Sequence, residues 1–352
     1  MIKKLIWNLE TTVPPQLGYD KNIGLAGMIY GNIGDYLIFG GGSNFPNGSP
    51  IEGGKKIEYS DIYLYKQVDN TLVLMDQIQF SYPFSYGAST TTDDTLYFIT
   101  KKNNTESDIV ALTVSHNKLQ FSILDTIAYS LENIILEYYN NTLIFGVGTV
   151  AGTLSTALYS YDLETKIIHN LGDFPGNKRS QALSFLHQDS LIIYGGGADL
   201  TYFDGFKFDL VNKTWSKLSD IGIADKDNNT VHFSLLGSRW LPINECELLT
   251  LGGFNKDIWR WAVHNLSTLK GDYLEEFRTM YFSMDEEEYK WNREILVYNH
   301  ITDSWRLLDF FSFSAPCGHG FVKINDTLYS IMGEVKPAKR TNKIFSAKIK
   351  AL

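Results

Sequence analysis

The chain has 352 residues, a formal net charge of -9 and 20% charged residues. That acidic balance argues against a general nucleic-acid or anionic-membrane binder, which needs a basic face, but leaves room for a small anion held by a local arginine. Apolar residues make up 44% and aromatics 14%, with 21 Tyr and 21 Phe, which suits a large core built from strands.

At the N-terminus, Lys3 and Lys4 precede an apolar run that breaks at Asn8 and Glu10. No small-residue cleavage site follows, so this is a poor secretion signal. No segment is long and apolar enough to span a membrane. A cytoplasmic protein without membrane association is expected. The two cysteines, Cys246 and Cys317, fit neither a metal spacing nor a disulfide framework, in keeping with a reducing compartment. Residues 3–9 form an orphan strand with no nearby partner.

Further along, one phrase recurs: a turn residue, then Leu and an apolar strand, then glycines. It occupies residues 35–42, 94–98, 141–148, 189–196, 247–253 and 326–333. The second copy has lost its glycines. Each phrase follows a short strand of small and apolar residues, as at 24–28 or 181–185. Each precedes an alternating strand, as at 61–65, 157–161 or 294–298, and period-two alternation marks a half-buried strand. A fourth strand often reads Trp-x-x-Leu, at 215–218 and 305–308. Four strands with a glycine pair after the second resemble kelch repeats, which build propellers.

The expected architecture is therefore all-β: a six-bladed kelch-type β-propeller forming a single domain over 1–352. The last repeat runs out of chain after its third strand, near 342–350. The orphan strand at 3–9 should supply the missing outer strand and close the ring. The largest insertion, about 255–292 in the fifth blade, reads as one to three short helices. A seven-bladed ring with a degenerate blade hidden there is the alternative. The loops after the glycines all leave one face, joined there by the blade-to-blade connections, so that face should carry a pocket.

One of those loops, 333–341, reads G-E-V-K-P-A-K-R-T and sets Glu334 and Arg340 six residues apart. At these residues the chain resembles the N-acetylneuraminate epimerases, or sialic acid mutarotases, which are kelch propellers. Further similarity runs from Gly24 through Ser43, Asn44 and Phe45 to residues 60–63, with weaker likeness around Arg179, Gln181 and His232. The blade order is rotated relative to the usual family, so the chain resembles its circularly permuted branch. Ala338 stands where the family usually has glycine.

The resemblance implies an isomerase acting on an acidic sugar such as sialic acid, without cofactor or metal. Mutarotation opens and recloses a sugar ring, which needs a base at the anomeric hydroxyl and an acid at the ring oxygen. The family likeness gives Glu334 the base role and Arg340 a partner role. Arg340 can hold the sugar carboxylate in a bidentate pair or set the ionisation of Glu334; a salt bridge that only braces the loop is the plainer reading. Asn44 and Phe45 are candidates for a polar contact and a wall for the sugar, or for an Asx turn and a core Phe. Arg179, Gln181, His232 and Asn255 complete the candidate substrate-binding set, with structural roles as the competing reading. The competing function is a kelch-type binding module for a protein partner, or an acidic-sugar sensor without turnover. A homodimer is compatible with either.

Overall fold

The computed structural model describes residues 4–349. Six antiparallel sheets, each with four main strands, are arranged as the blades of a propeller. The inner strands are Ile29–Ile33, Ala88–Thr91, Ile135–Tyr139, Leu183–His187, Arg239–Pro242 and Gly320–Ile324, defining blades one to six in chain order. The Leu of each recurring phrase lies on the second strand, and all six (Leu37, Leu96, Leu143, Leu191, Leu248 and Leu328) have no solvent exposure. The core is correspondingly divided. Each of six apolar clusters fills the wedge between two neighbouring blades. At roughly 1.5–3 kcal/mol for each large apolar side chain removed from water, these wedges join blade to blade.

The Trp-x-x-Leu pattern of the fourth strands also has a physical cause. Trp215 lies directly opposite Phe208, and Trp305 opposite Tyr298, as cross-strand pairs. Ring centroids are 4.7 Å apart in both. Such pairs clamp an outer strand that has only one neighbour to hydrogen-bond.

Around the axis, one residue of each blade adopts a left-handed backbone just before its inner strand. These are Gly27, Tyr86, Asn133, Gln181, Gly237 and Gly318, with φ between +52° and +76°. Each turn frees an amide to bond a carbonyl of the preceding blade. Tyr86 N–H donates to Gly27 O, Asn133 to Tyr86, Gln181 to Asn133, Gly318 to Gly237 and Gly27 to Gly318, at 2.6–3.1 Å. Five of the six junctions are tied in this way; Gln181 and Gly237 are not joined. Strands therefore begin later than the sequence suggests. Residues 24–27 and 181–182 are ring and connection, and the strands start at Ile29 and Leu183.

Closure is as expected in kind and displaced in register. The N-terminal strand is Trp7–Thr12, and it pairs antiparallel with Lys343–Lys348, Trp7 facing Ala347 and Thr12 facing Lys343. Lys3 and Lys350, at the ends of the expected strands, lie outside the described residues. Glu10 accepts from Ser346 Oγ at 2.7 Å and from Leu72 N at 3.0 Å, tying the closing strand to blades six and one.

The fifth-blade insertion forms two helices, α1 (Lys256–Thr268) and α2 (Gly271–Ser283), then a short 3-10 turn, Glu286–Tyr289. Asn255 caps α1 by accepting from Asp257 N and Ile258 N. Trp261 packs on Phe277 and Tyr281, so it holds the two helices together. In the acidic run 285–288, Asp285, Glu287 and Glu288 are exposed, whereas Glu286 accepts from Ser314 and pairs with Lys339, which draws it inward. No helix among the described residues is long and apolar enough to cross a membrane.

Deleting residues 1–12 should leave the Lys343–Lys348 strand as an open edge and uncover the apolar wedge beneath it. The truncated protein is expected to melt several degrees lower or to aggregate, read by thermal denaturation and light scattering. Melting at the parental temperature without aggregation would show that the strand is dispensable.

Candidate functional site

The strand Glu334–Lys336 turns back through Pro337 and Ala338 into Lys339–Arg340, with Glu334 opposite Arg340. Proline followed by a residue of positive φ suits a type II turn, and Ala338 has φ +65°. That conformation suits glycine; alanine carries it at a cost of roughly 1–2 kcal/mol. The Ala338 N–H donates to Glu334 Oε1 at 2.9 Å, closing the turn on the carboxylate.

Four anchors fix the hairpin. Glu334 and Cys317 exchange both backbone hydrogen bonds, at 2.8 and 2.9 Å. Gly333 N donates to Leu25 O at 2.9 Å. Lys336 Nζ donates to Met284 O at 2.6 Å, and Lys339 pairs with Glu286 at 2.8 Å, docking the hairpin on the insertion. Gly24 lies so close to Thr341 that a Cβ there would sit 2.3 Å from its carbonyl carbon.

Arg340 Nη1 is 3.0 Å from Glu334 Oε1, and its side chain is 3% exposed against 18% for Glu334. The alignment does not make a hydrogen bond, and neither Nη1 nor Nε has an acceptor among the described residues. The guanidinium instead lies 4.9 Å from the Phe45 ring centroid. Arg340 is thus a buried cation aimed at Glu334, roofed by an aromatic face of the first blade. Burial pushes the Glu334 carboxyl above its ordinary range; Arg340, then the Ala338 N–H, then Lys56 pull it back. Lys56 is exposed, with its ammonium 4.7 Å from the Tyr86 ring centroid. Burial pushes the neighbouring Cys317 thiol well up, so it stays neutral beside the carboxylate.

The other expected residues divide among several places. Asn44 is 1% exposed and employs both polar atoms internally, donating to Gly24 O and accepting from Tyr59 OH. It supports the floor under Phe45. Arg179 is fully buried, bidentate to Asp204 at 2.6 and 2.9 Å, between the rings of Phe174 and Tyr202. His232 does not begin an inner strand. It ends a small hairpin, Thr230–His232 against Gly222–Ala224, because the turn at 235–237 intervenes before Arg239. Its Nδ1 is 2.8 Å from Ile221 O and its ring stacks on Phe203. His232 and Asn255 line a side cavity of about 560 Å3 beside the insertion, which Val335 also touches. His319 does precede an inner strand, and it is fully buried with neither ring nitrogen bonded.

Gln181 lies elsewhere, on a cavity of about 500 Å3 along the propeller axis. Tyr86, Asn133 and Gln181, the three non-glycine members of the backbone ring, line one half of this cavity. The glycine members, Gly237, Gly318 and Gly27, belong to the half nearest Glu334. No group of His, Cys, Asp or Glu among the described residues could hold a metal.

Arg239, Lys56 and Tyr86 escaped the sequence reading. A signal for Arg239 exists. It stands two residues after its ring residue, where the other blades have Ile29, Ala88, Ile135, Leu183 and Gly320. A charge in that apolar or small register is anomalous once the ring is aligned.

Because Arg340 supplies the largest downward pull on Glu334, Arg340→Gln should raise the pH at which that carboxyl titrates. Carboxyl-carbon NMR of labelled protein reads the midpoint directly. An unmoved midpoint in a folded variant would show that the pair does not control Glu334.

Comparison with known proteins agrees with this geometry. The sequence model of the N-acetylneuraminate epimerase family matches residues 127–351. N-acetylneuraminate epimerases of Salmonella paratyphi B and Vibrio cholerae are 28% and 24% identical over 59% and 55% of this chain, respectively. The chain spans about half the length of the curated relatives it matches, 54% and 52% for these two. The solved structure of YjhT superposes with a TM-score of 0.53 at 24% identity, covering 62% of each chain.

Proposed function

The chain belongs to the N-acetylneuraminate epimerase family, and we propose that it interconverts the α and β anomers of N-acetylneuraminate or a closely related acidic sugar. The observation that carries this reading is the Glu334–Arg340 hairpin, which lies inside the segment matched by the family. Glu334 takes the proton of the anomeric hydroxyl. The bond between the anomeric carbon and the ring oxygen breaks, the ring oxygen takes up a proton from water, which regains it on reclosure, and a carbonyl forms at the former anomeric carbon. Rotation about the adjacent carbon–carbon bond presents its other face, and reclosure returns the proton from Glu334.

Several features support that assignment. A carboxylate raised by burial is a stronger base than a solvated one, and Arg340 opposes that rise. The Arg340 side chain is 3% exposed and faces Glu334, so of the two roles open to it we assign the tuning of Glu334. Phe45 offers a half-buried aromatic surface against the site. The rotated blade order belongs to the same reading, since Phe45 of the first blade completes the environment of Arg340 in the last.

NMR of freshly dissolved α-N-acetylneuraminate should show faster approach to the anomeric equilibrium with the protein than without it. Glu334→Gln preserves shape and removes the proton acceptor. It is expected to slow exchange on the order of a hundredfold or more while sugar binding persists. Unchanged exchange in a folded Glu334→Gln protein would remove Glu334 from the mechanism.

A further inference from the structure

We propose that Arg239, in the axial cavity, is the residue that reads the carboxylate of the sugar; this rests on the mutarotase reading and supplies the anion contact that the enclosed Arg340 leaves open. Arg239 is half-buried and lines the cavity. Its only side-chain hydrogen bond among the described residues runs from Nη1 to the neighbouring Ser238 carbonyl at 2.9 Å. No carboxylate pairs with it among the described residues, whereas most other arginines, Arg179, Arg278, Arg293, Arg306 and Arg340, each face one. Its guanidinium carbon lies 5.8 Å from the ring centroid of Tyr30 on blade one. It therefore reaches from blade five past blade six toward blade one. A partly desolvated guanidinium with unused donors is suited to a carboxylate, to which it can make two parallel bonds.

The cavity around it favours an anion although the protein as a whole is acidic. Its lining includes two cations, Arg239 and Lys323, and one acid, Glu137, which is engaged by Ser184 Oγ at 2.7 Å. The side chains of Asn133 and Gln181 form no hydrogen bonds among the described residues and stand on the same cavity. Arg239 is also connected to the proposed base. Gly318 N bonds to Gly237 O, and Cys317 bonds to Glu334 on both sides. Two hydrogen-bonded steps, Gly237 to Gly318 and Cys317 to Glu334, link the turn before the Arg239 strand to the hairpin. The proposal therefore requires a sugar acid that extends from Arg239 on the axis to Glu334 on the hairpin.

The test uses three probes on the full chain: N-acetylneuraminate, its methyl ester, and its methyl glycoside, whose anomeric centre is locked. Calorimetry gives binding of all three, and NMR gives exchange for the first two. Arg239→Gln should weaken binding of the two carboxylates about tenfold or more and that of the ester by less than about threefold. The loss in exchange should appear mainly in KM. Arg239→Lys should recover part of the affinity, and thermal melting verifies that both variants fold. Equal losses for acid and ester would overturn the proposal by making Arg239 a packing residue. An acid-specific loss in Arg340→Gln but not in Arg239→Gln would overturn it in favour of Arg340. Should the parent bind the locked glycoside without accelerating exchange, mutarotation fails while the glycoside still decides Arg239. A parent that binds none of the three overturns both.

Discussion

The backbone ring at the axis is the constraint on which the rest of this molecule depends. Each blade contributes one left-handed residue, and five N–H to carbonyl bonds link these residues around the centre. Apolar wedges press the blades together, but an apolar wedge alone is indifferent to small sliding motions. The directional bonds set the height at which each inner strand begins. From that height follow the second strands, the glycine loops and the mouth of the axial cavity. Tyr86 and Gln181 hold a conformation costing on the order of 1–2 kcal/mol each for a residue with a side chain. Strain of this kind collects where side chains must be aimed at one point.

The site contrasts with the chain around it. A net charge of -9 repels an acidic sugar at long range. Close to the hairpin and axis the balance reverses, through Arg340, Lys56 and Arg239 against Glu334. The cations differ in accessibility. Arg340 is sealed beneath Phe45 and acts on a neighbouring carboxylate, Lys56 is solvated above Tyr86, and Arg239 stands in the cavity with donors unused. In the proposed mechanism, burial depth separates the tuning of a base from contact with a ligand.

Much of the fold was legible because the repeats encode it locally. The recurring Leu and glycines mark the second strand and its loop, and Trp215 and Trp305 mark fourth strands by what they stack on. The signature made Glu334 and Arg340 visible. What stayed hidden depends on distant contacts. Nothing local marks Asn44 as buried beneath its loop or ties Arg179 to Asp204, 25 residues on. The position of His232 could not be inferred either, because residues 222–232 form a hairpin outside the repeat. Arg239 is legible only after the blades are aligned on their left-handed residues, and three of those six, Tyr86, Asn133 and Gln181, are not glycine.

The closing strand also sets an order of events. Glu10 meets Ser346 across 336 residues, so this contact has one of the highest loop-closure costs in the chain. Blades one to five can form as the polypeptide emerges, but the sixth lacks its outer strand's partner until residues 343–348 have been synthesised. The hairpin bearing Glu334 and Arg340 is in that last blade, and Phe45 is in the first. The two halves of the site meet across the seam of the ring. A nascent or clipped chain therefore holds most of the scaffold without the assembled site, and the proposed centre exists only when the circle is complete.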